Sequence, residues 1–165
     1  MEEDPVIDGA EFRRVLGHFP TGVTIVTANG DDGPLGVAIG SFCSISLDPP
    51  LVGFFIGLSS TSWGPIRETG SFCVNILCHD QLQLAGVMAS KSDDKFSGLL
   101  WDPAPVSGSP VLPEVHGYID CRLDQVVPAG DHELVIGRVL HLETRRDDPP
   151  LIFYRGQYGS FTTST

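Results

Sequence analysis

The stretch GYIDCRLDQVVPAGDHELVIGRVLHLE, residues 117–143, decides the fold of this chain. In its first half, Ile119, Cys121 and Leu123 alternate with polar residues, which is typical of a β-strand with one buried face. Its second half is again rich in Val, Ile and Leu, and the turn PAGDH lies between the two halves. The pattern therefore predicts a long antiparallel β-hairpin.

Shorter strands are predicted on both sides of this hairpin, because Val- and Ile-rich segments there are separated by turns rich in Gly and Pro. These segments are GVTIVTA (22–28), LGVAIGSFCSIS (35–46), LVGFFIG (51–57), SFCVNIL (71–77) and LIFY (151–154). The count is six or seven antiparallel strands, with no alternation of strands and helices. Such a count favours a mainly β fold, a closed or partly closed barrel with two or three short flanking helices.

Three helices and one long loop complete the prediction. A capping-box pattern at Asp8 and Glu11, followed by apolar residues at helical spacing, predicts an amphipathic helix that Pro20 ends. Shorter helices are predicted within 58–70 and 79–89. The second of these would place Leu82, Ala85 and Ala89 along one side. Residues 90–113 are predicted as a loop, with Phe96 and Trp101 as its anchors.

Length and charge limit what the protein can be. A chain of 165 residues with 41% hydrophobic content is expected to form one domain over 1–165, with a flexible N-terminus at 1–10. A net charge of -11 disfavours nucleic acid and anionic membranes as partners. A ligand that bears phosphate must then be held by hydroxyls, backbone amides and individual basic residues such as Lys91, Lys95 and Arg155.

No metal site, secretion signal or membrane span is predicted. The four cysteines lack the spacing of metal knuckles or redox pairs, so they are expected to be free thiols. The opening residues MEEDPVIDGA do not resemble a signal peptide, and no apolar run approaches the length of a membrane span. A cytoplasmic protein is expected.

Four features are candidates for a binding site, and each also has a purely structural interpretation. GSFCSIS (40–46) offers hydroxyls and amides for a planar ring, or is a serine-rich strand end. LSSTSW (58–63) offers hydroxyls for a phosphate, or only caps a helix. Gly130-Asp131-His132 contains an imidazole able to orient a ligand amide, or a solvated turn histidine. FYRGQY (153–158) contains an arginine between aromatic rings, or a surface cation.

These features occur in an order that resembles the short-chain flavin reductase family, from about Phe12 to about Phe161. The family supplies reduced flavin to two-component monooxygenases. The matching segments are FRRVLGHFPTGVTIVTA (12–28), GSFCSISLDPPLV (40–52), STSW (60–63), GSFCVNIL (70–77), SDDKF (92–96), AGDHELVIGRV (129–139) and FYRGQY (153–158). The resemblance implies a split β-barrel of Greek-key type that forms a homodimer and binds flavin at the barrel edge.

The resemblance also implies an enzyme that transfers hydride from NADH or NADPH to FMN or FAD and delivers the reduced flavin to a partner monooxygenase. The flavin-binding residues would be Gly36, Val37, Ala38, Gly40, Ser41, Phe42, Ser46, Thr61, Ser62, Ser90 and Lys91. The nicotinamide nucleotide would face His132, Arg155 and Tyr158, with His132 as the catalytic residue. At Gly40 the family often has a hydroxyl or amide side chain, so only the backbone of this residue remains as a ligand.

Two other functions share this fold. One is a non-catalytic flavin-binding module for sensing or storage, which the segments GDH and YRGQY argue against because it needs no nicotinamide contacts. The other is an FMN-dependent oxidase of the pyridoxamine-phosphate oxidase-like type, which fold alone does not exclude. The sequence contains no phosphate-binding loop, Rossmann glycine motif, nucleophile elbow or zinc histidine pair.

Overall fold

The computed structural model describes residues 1 and 3–165. Its elements in chain order are α1 (Gly9–Leu16), β1 (Thr21–Gly22), β2 (Thr24–Gly30), β3 (Gly33–Ile39), β4 (Cys43–Ser46), β5 (Leu51–Gly57), α2 (Trp63–Glu68), β6 (Ser71–Ile76), α3 (Leu82–Ala89), β7 (Asp102–Pro103), β8 (Pro110–Val111), β9 (Gly117–Ala129), β10 (His132–Thr144), β11 (Leu151–Tyr154) and β12 (Gln157–Ser160). None of the helices in this part of the chain is long and apolar enough to cross a membrane.

One antiparallel sheet of seven strands, in the order β3-β2-β6-β9-β10-β5-β4, forms the body of the protein. Its two edge strands, β3 and β4, are consecutive in the chain and are joined by residues 40–42, so the sheet must curl until its edges meet. At that seam the Ser41 hydroxyl donates to Phe55 O and accepts from Phe55 N, both at 2.9 Å. The predicted mainly β split barrel with short flanking helices is confirmed.

The long hairpin predicted from residues 117–143 is formed by β9 and β10, each thirteen residues long. Its turn is Gly130-Asp131, and Gly130 adopts a φ of +64°, which a residue without a side chain tolerates best. Irregular pairing after Ile136 bends the hairpin around the core. There Gly137 leaves room for the Phe72 ring, whose Cζ atom would lie 2.5 Å from an added Cβ.

Two hydrophobic clusters lie on opposite sides of β2, which explains why that strand is apolar on both faces. Val26 and Ala28 point into the barrel and pack in a cluster with Phe54 and Phe72. Ile25 points outward, where α3 and the segment after it cover the sheet in a second cluster. The outer cluster determines how the site described below is enclosed.

Helix α1 has the predicted cap residue at its start but ends earlier than predicted. It begins at Gly9, inside the 1–10 segment, and the Asp8 carboxylate caps it by accepting from the backbone amides of Ala10 and Glu11 at 2.9 Å. The Glu11 side chain bonds Arg14 and does not complete a capping box. The helix ends at Leu16, four residues before the predicted stop.

The predicted buried face of α3 is wrong. Leu82 and Ala89 are exposed, and the residues that pack inward are Ala85 and Met88. The helix is rotated because Met88 fills the space over Gly36, a residue with no side chain of its own.

The segment 90–113 is not a continuous loop, because β7 and β8 pair within it. Phe96 and Trp101 pack against the outer hydrophobic cluster, as predicted. The buried Asn75 side chain holds the end of the segment: its Oδ1 accepts from Leu112 N at 2.8 Å and its Nδ2 donates to Pro110 O at 3.2 Å. The four cysteines are free.

Candidate functional site

Three small residues lie at alternate positions of the chain, Gly36 and Ala38 in β3 and Gly40 directly after it. Alternate residues of a strand share a face, so these three form a row about 13 Å long. Gly36 lines one cavity of about 200 Å³, and Ala38 and Gly40 line a second cavity of about 200 Å³. Both cavities are therefore lined in part by β3 or by the residue that follows it.

The first cavity brings together residues that are distant in the sequence. Its lining includes three groups of predicted flavin-binding residues, namely Gly36 of β3, Thr61 and Ser62 before α2, and Lys91 after α3. Lys95 and Phe96 complete its floor, and Asp93 is an acidic residue at its edge. Hydroxyls and ammonium groups from separate elements thus converge on one small space, which suits an oxygen-rich anion.

Ser62 stands directly before α2, where a serine side chain ordinarily caps the helix. Its hydroxyl makes no capping hydrogen bond. Instead, Ser62 Oγ accepts a hydrogen bond from Lys95 Nζ at 3.3 Å. The interpretation of LSSTSW as simple helix capping is therefore wrong for this residue, whose hydroxyl is turned toward the cavity lysine.

Lys95 is the main site residue that the predicted site set lacks. Its ammonium donates to Gly36 O at 3.0 Å, to Met88 O at 2.9 Å and to Ser62 Oγ at 3.3 Å. Burial lowers the pKa of Lys95 below its ordinary value, because the charged form loses solvation. The signal that could have identified it is the segment SDDKF, in which Lys95 precedes the anchor Phe96.

Gly36 allows this arrangement by its lack of a side chain. A Cβ at this position would lie 2.8 Å from Met88 Sδ and 3.2 Å from two ring carbons of Phe96. The loop that carries Lys95 can therefore approach β3 closely enough to bond its backbone only because residue 36 is glycine.

The second cavity lies between β3 and the β11–β12 hairpin. Tyr158 lines it together with Ala38 and Gly40, and Phe153 forms its outer wall. The rings of Phe153 and Tyr158 meet edge to face, with centroids 5.2 Å apart. Tyr158 is thereby placed beside predicted flavin-binding residues. A Cβ at Gly40 would have only one neighbour within 4 Å, the Thr21 hydroxyl.

Several predicted site residues have side chains that serve the scaffold. Val37 and Phe42 pack against the barrel core, which leaves their backbone groups for a ligand. Both hydrogen bonds of the Ser41 hydroxyl go to Phe55. The Ser90 hydroxyl donates to Val87 O at 2.6 Å at the end of α3, and Ser90 does not line the first cavity.

Ser46 lies in the strand at the opposite edge of the sheet from β3. It is the last residue of β4 and pairs with Leu51 across an irregular register. Neither cavity is lined by it.

His132 begins β10 and pairs with Gly57 of β5. Its Nδ1 lies 2.6 Å from Asp131 Oδ1, and that hydrogen bond lowers the pKa of the Asp131 carboxyl. Because a carboxylate can only accept, Nδ1 carries the proton and Nε2 of a neutral ring is left as an acceptor. The side chain is 48% exposed, so the ring is accessible to a ligand.

Arg155 occupies the turn between β11 and β12, with a φ of +51°. Its backbone N donates to Gly17 O at 3.0 Å, which ties the turn to the end of α1. It lines neither cavity, and the structure does not bring it together with Gly40 as it does Tyr158.

The site can hold a planar ligand with an anionic end, and it lacks a nucleophile with a paired base. Within residues 1 and 3–165, no group of three or more His, Cys, Asp or Glu side chains could hold a metal ion. The donors of the first cavity, which are the Ser62 hydroxyl and the ammonium groups of Lys91 and Lys95, fit the phosphate of a flavin, and Ala38 and Gly40 line the second cavity.

Comparison with known proteins agrees with this geometry. The family model described as "Flavin reductase like domain" matches residues 16–162. A flavin reductase from Pseudomonas putida is 51% identical, over 94% of this chain and 91% of that protein. The reductase subunit of a flavin-dependent monooxygenase from Rhodococcus jostii is 46% identical, over 92% and 77%.

Among solved structures, an NADH:FAD oxidoreductase from Streptomyces globisporus, in complex with NAD and FAD fragments, superposes with a TM-score of 0.88. It is 30% identical, and the match covers 96% of this chain and 98% of that one. The family match spans nearly the whole barrel, including both cavities and the β9–β10 hairpin. This chain belongs to the flavin reductase-like domain family.

Proposed function

We propose that this protein is an NAD(P)H:flavin oxidoreductase, which transfers hydride from NADH or NADPH to FMN or FAD and supplies the reduced flavin to a partner monooxygenase. The observation that carries the proposal is that β3 contributes to two cavities, one beside Gly36 that suits a phosphate and one beside Ala38 that Tyr158 also lines. The names of the relatives support the same reaction class.

In this proposal the flavin phosphate lies in the first cavity and the ring system lies along β3. The phosphate would be held by Thr61, Ser62 and Lys91. The two hydroxyl donors and the Lys91 ammonium there offset the net negative charge of the chain. The ring would lie in the second cavity beside Ala38 and Gly40, since small residues let a planar group approach the chain closely. Ser41 contributes by fixing the 40–42 connection to β5.

Bound flavin supplies the electron-accepting ring, so the chain itself needs no nucleophile. The residues of the chain would hold the flavin ring and the nicotinamide ring in contact and exclude water from between them. His132, with Nδ1 engaged by Asp131, presents Nε2 as an acceptor for the carboxamide N–H of a nicotinamide. Tyr158 flanks the ring face from the opposite hairpin, and Arg155 offers a cation for the phosphates of the nucleotide.

A homodimer is part of the proposal. The apolar face of α1 is exposed, and Phe12, Val15 and Leu16 of the helix, with Phe19 just beyond it, are between 51% and 73% accessible. The hydrogen bond from Arg155 N to Gly17 O makes this face continuous with the β11–β12 hairpin, where Tyr154 is also exposed. A contiguous apolar surface of this kind ordinarily marks an interface. We further propose a single domain over 1–165 and a cytoplasmic location.

The proposed activity is tested by mixing the purified protein with NADH or NADPH and with FMN, FAD or riboflavin, and by following nicotinamide oxidation at 340 nm. Oxidation that requires both protein and flavin is expected. Flavin that binds without any nicotinamide consumption would contradict the proposal and favour a binding module, whereas reduction of bound flavin by another small molecule would favour an oxidase. Light scattering measures the oligomeric state.

A further inference from the structure

Lys95 and Lys91 both line the first cavity, but they differ in how many hydrogen bonds their ammonium groups donate to the protein. Its ammonium has three N–H donors, and three protein acceptors are within reach: Gly36 O, Met88 O and Ser62 Oγ. A phosphate oxygen would therefore compete for a proton that is already engaged. Lys91 lines the same cavity, and no hydrogen bond or ion pair of its ammonium is found anywhere in residues 1 and 3–165.

The hydrogen bond to Ser62 determines which way that hydroxyl can act. A hydroxyl that accepts from an ammonium has its own proton directed away from the donor. Across the described chain the Ser62 hydroxyl has no protein acceptor, and the residue lines the cavity. Its O–H is therefore left to donate to a ligand oxygen, and the nearby positive charge strengthens that donor.

The charge of Lys95 is also not neutralised by the chain. Its three hydrogen-bond partners are neutral oxygens, and no carboxylate within the described residues lies at ion-pair distance from Nζ. In a protein with a net charge of -11, a partly buried and unpaired cation beside a cavity is unusual, and it favours an anion there.

We propose that Lys95 is a positioning residue for the phosphate end of the flavin, acting through the Ser62 hydroxyl and the β3 backbone without contacting the phosphate itself. Lys91 makes the direct contact with the phosphate. This inference rests on the proposed function, because it assigns the first cavity to the flavin phosphate. It predicts a specific coupling: removing the ammonium of Lys95 abolishes the contribution of Ser62, whereas removing Lys91 does not.

The test is a double-mutant cycle with two ligands that differ only in the phosphate, FMN and riboflavin. Dissociation constants are measured by quenching of flavin fluorescence for the wild type, Lys95→Met, Ser62→Ala and the double variant. Lys95→Met is expected to weaken FMN binding about tenfold or more, as for loss of a charged hydrogen bond, and riboflavin binding less than about twofold. In the Lys95→Met background, Ser62→Ala should add almost nothing for FMN.

The matched control is Lys91→Met combined with Ser62→Ala, whose effects on FMN binding should multiply. Equal losses for FMN and riboflavin in Lys95→Met would show a general structural role and overturn the inference, as would independent effects of Lys95 and Ser62. If Lys95→Met does not fold, the same cycle is run with Lys95→Arg, whose N–H donors are spread over a planar fork and do not converge on the three acceptors as those of a compact ammonium do. Independent effects would again overturn it.

The failure of this inference is distinguishable from that of the proposed function. A wild-type protein that does not oxidise NADH or NADPH in the presence of any flavin contradicts the function. A wild-type protein that reduces flavin, yet binds FMN no better than riboflavin, contradicts only the assignment of Lys95 and Ser62 to the phosphate.

Discussion

Substitution of Gly36 by alanine tests how closely the 90–99 segment must approach β3. The added methyl group would lie 2.8 Å from Met88 Sδ and 3.2 Å from two ring carbons of Phe96. Real Cβ contacts are essentially never as short as the first of these, so the neighbours have to move. Met88 is completely buried, although its flexible thioether absorbs part of the shift.

The cost follows from overpacking of a closed core. Inserting one methylene into a packed site destabilises a protein by about 1–3 kcal/mol, and the flexibility of Met88 places this case near 2 kcal/mol. For a chain of this size, a loss of about 2 kcal/mol lowers Tm by ~4–8 °C. FMN binding should weaken as well, because displacement of Phe96 carries Lys95 away from Gly36 O.

Gly40→Ala is the matched control, because its Cβ would meet only the Thr21 hydroxyl, at 3.3 Å. Thermal unfolding followed by circular dichroism should show a Tm within about 2 °C of the wild type for this control, as is typical of a substitution worth less than 0.5 kcal/mol. A Gly36→Ala variant as stable as Gly40→Ala would refute the close approach of the loop to the strand.

Three further predictions concern His132, the hydroxyls of Thr61 and Ser62, and the buried side chain of Asn75. His132→Ala should slow hydride transfer or raise KM for NADH while leaving the FMN dissociation constant unchanged, and equal loss of both would contradict its assignment. Thr61→Ala with Ser62→Ala should weaken FMN binding with little change in Tm; an unchanged titration would remove both from the site. Asn75→Ala leaves the buried amide of Leu112 unpaired, so urea unfolding should show a loss of about 2–4 kcal/mol, and an unchanged unfolding midpoint would contradict this role.

The barrel was predictable from the sequence because its signals are local. Alternation over 117–125 and the Gly130 turn define the β9–β10 hairpin. The apolar run at 51–57 defines β5, which buries Val52, Phe54 and Ile56 on one face but leaves Phe55 exposed on the other. The predicted face of α3 failed for a different reason. Helical spacing allows either Leu82 and Ala89 or Met88 to face the sheet. The space above Gly36 selects Met88, and Gly36 lies on a strand about fifty residues earlier in the chain.

The candidate site was predictable in part. The hydroxyls of the segment 58–63 indicated a possible phosphate site, whereas the predicted roles of Thr61, Ser62 and residues 36–40 came from the resemblance to the flavin reductase family. The role of Lys95 was not visible, since two of its three acceptors are main-chain carbonyls from different elements and carbonyls leave no trace in a sequence. The position of Ser62 before a helix predicted that its hydroxyl would cap the helix. The hydroxyl instead accepts from the Lys95 ammonium, because a charged donor forms a stronger hydrogen bond than a backbone N–H.

Closure of the barrel at Ser41 has a consequence for motion. Within residues 1 and 3–165 no β-ladder joins β3 to β4 or β5, so at Phe55 a single side-chain oxygen takes the place of a strand partner. Parting the barrel along this line breaks fewer main-chain hydrogen bonds than separating any two neighbouring strands of the sheet. The second cavity is lined by Gly40, the residue before Ser41, and so we expect this cavity to widen more easily than the packed interior of the barrel.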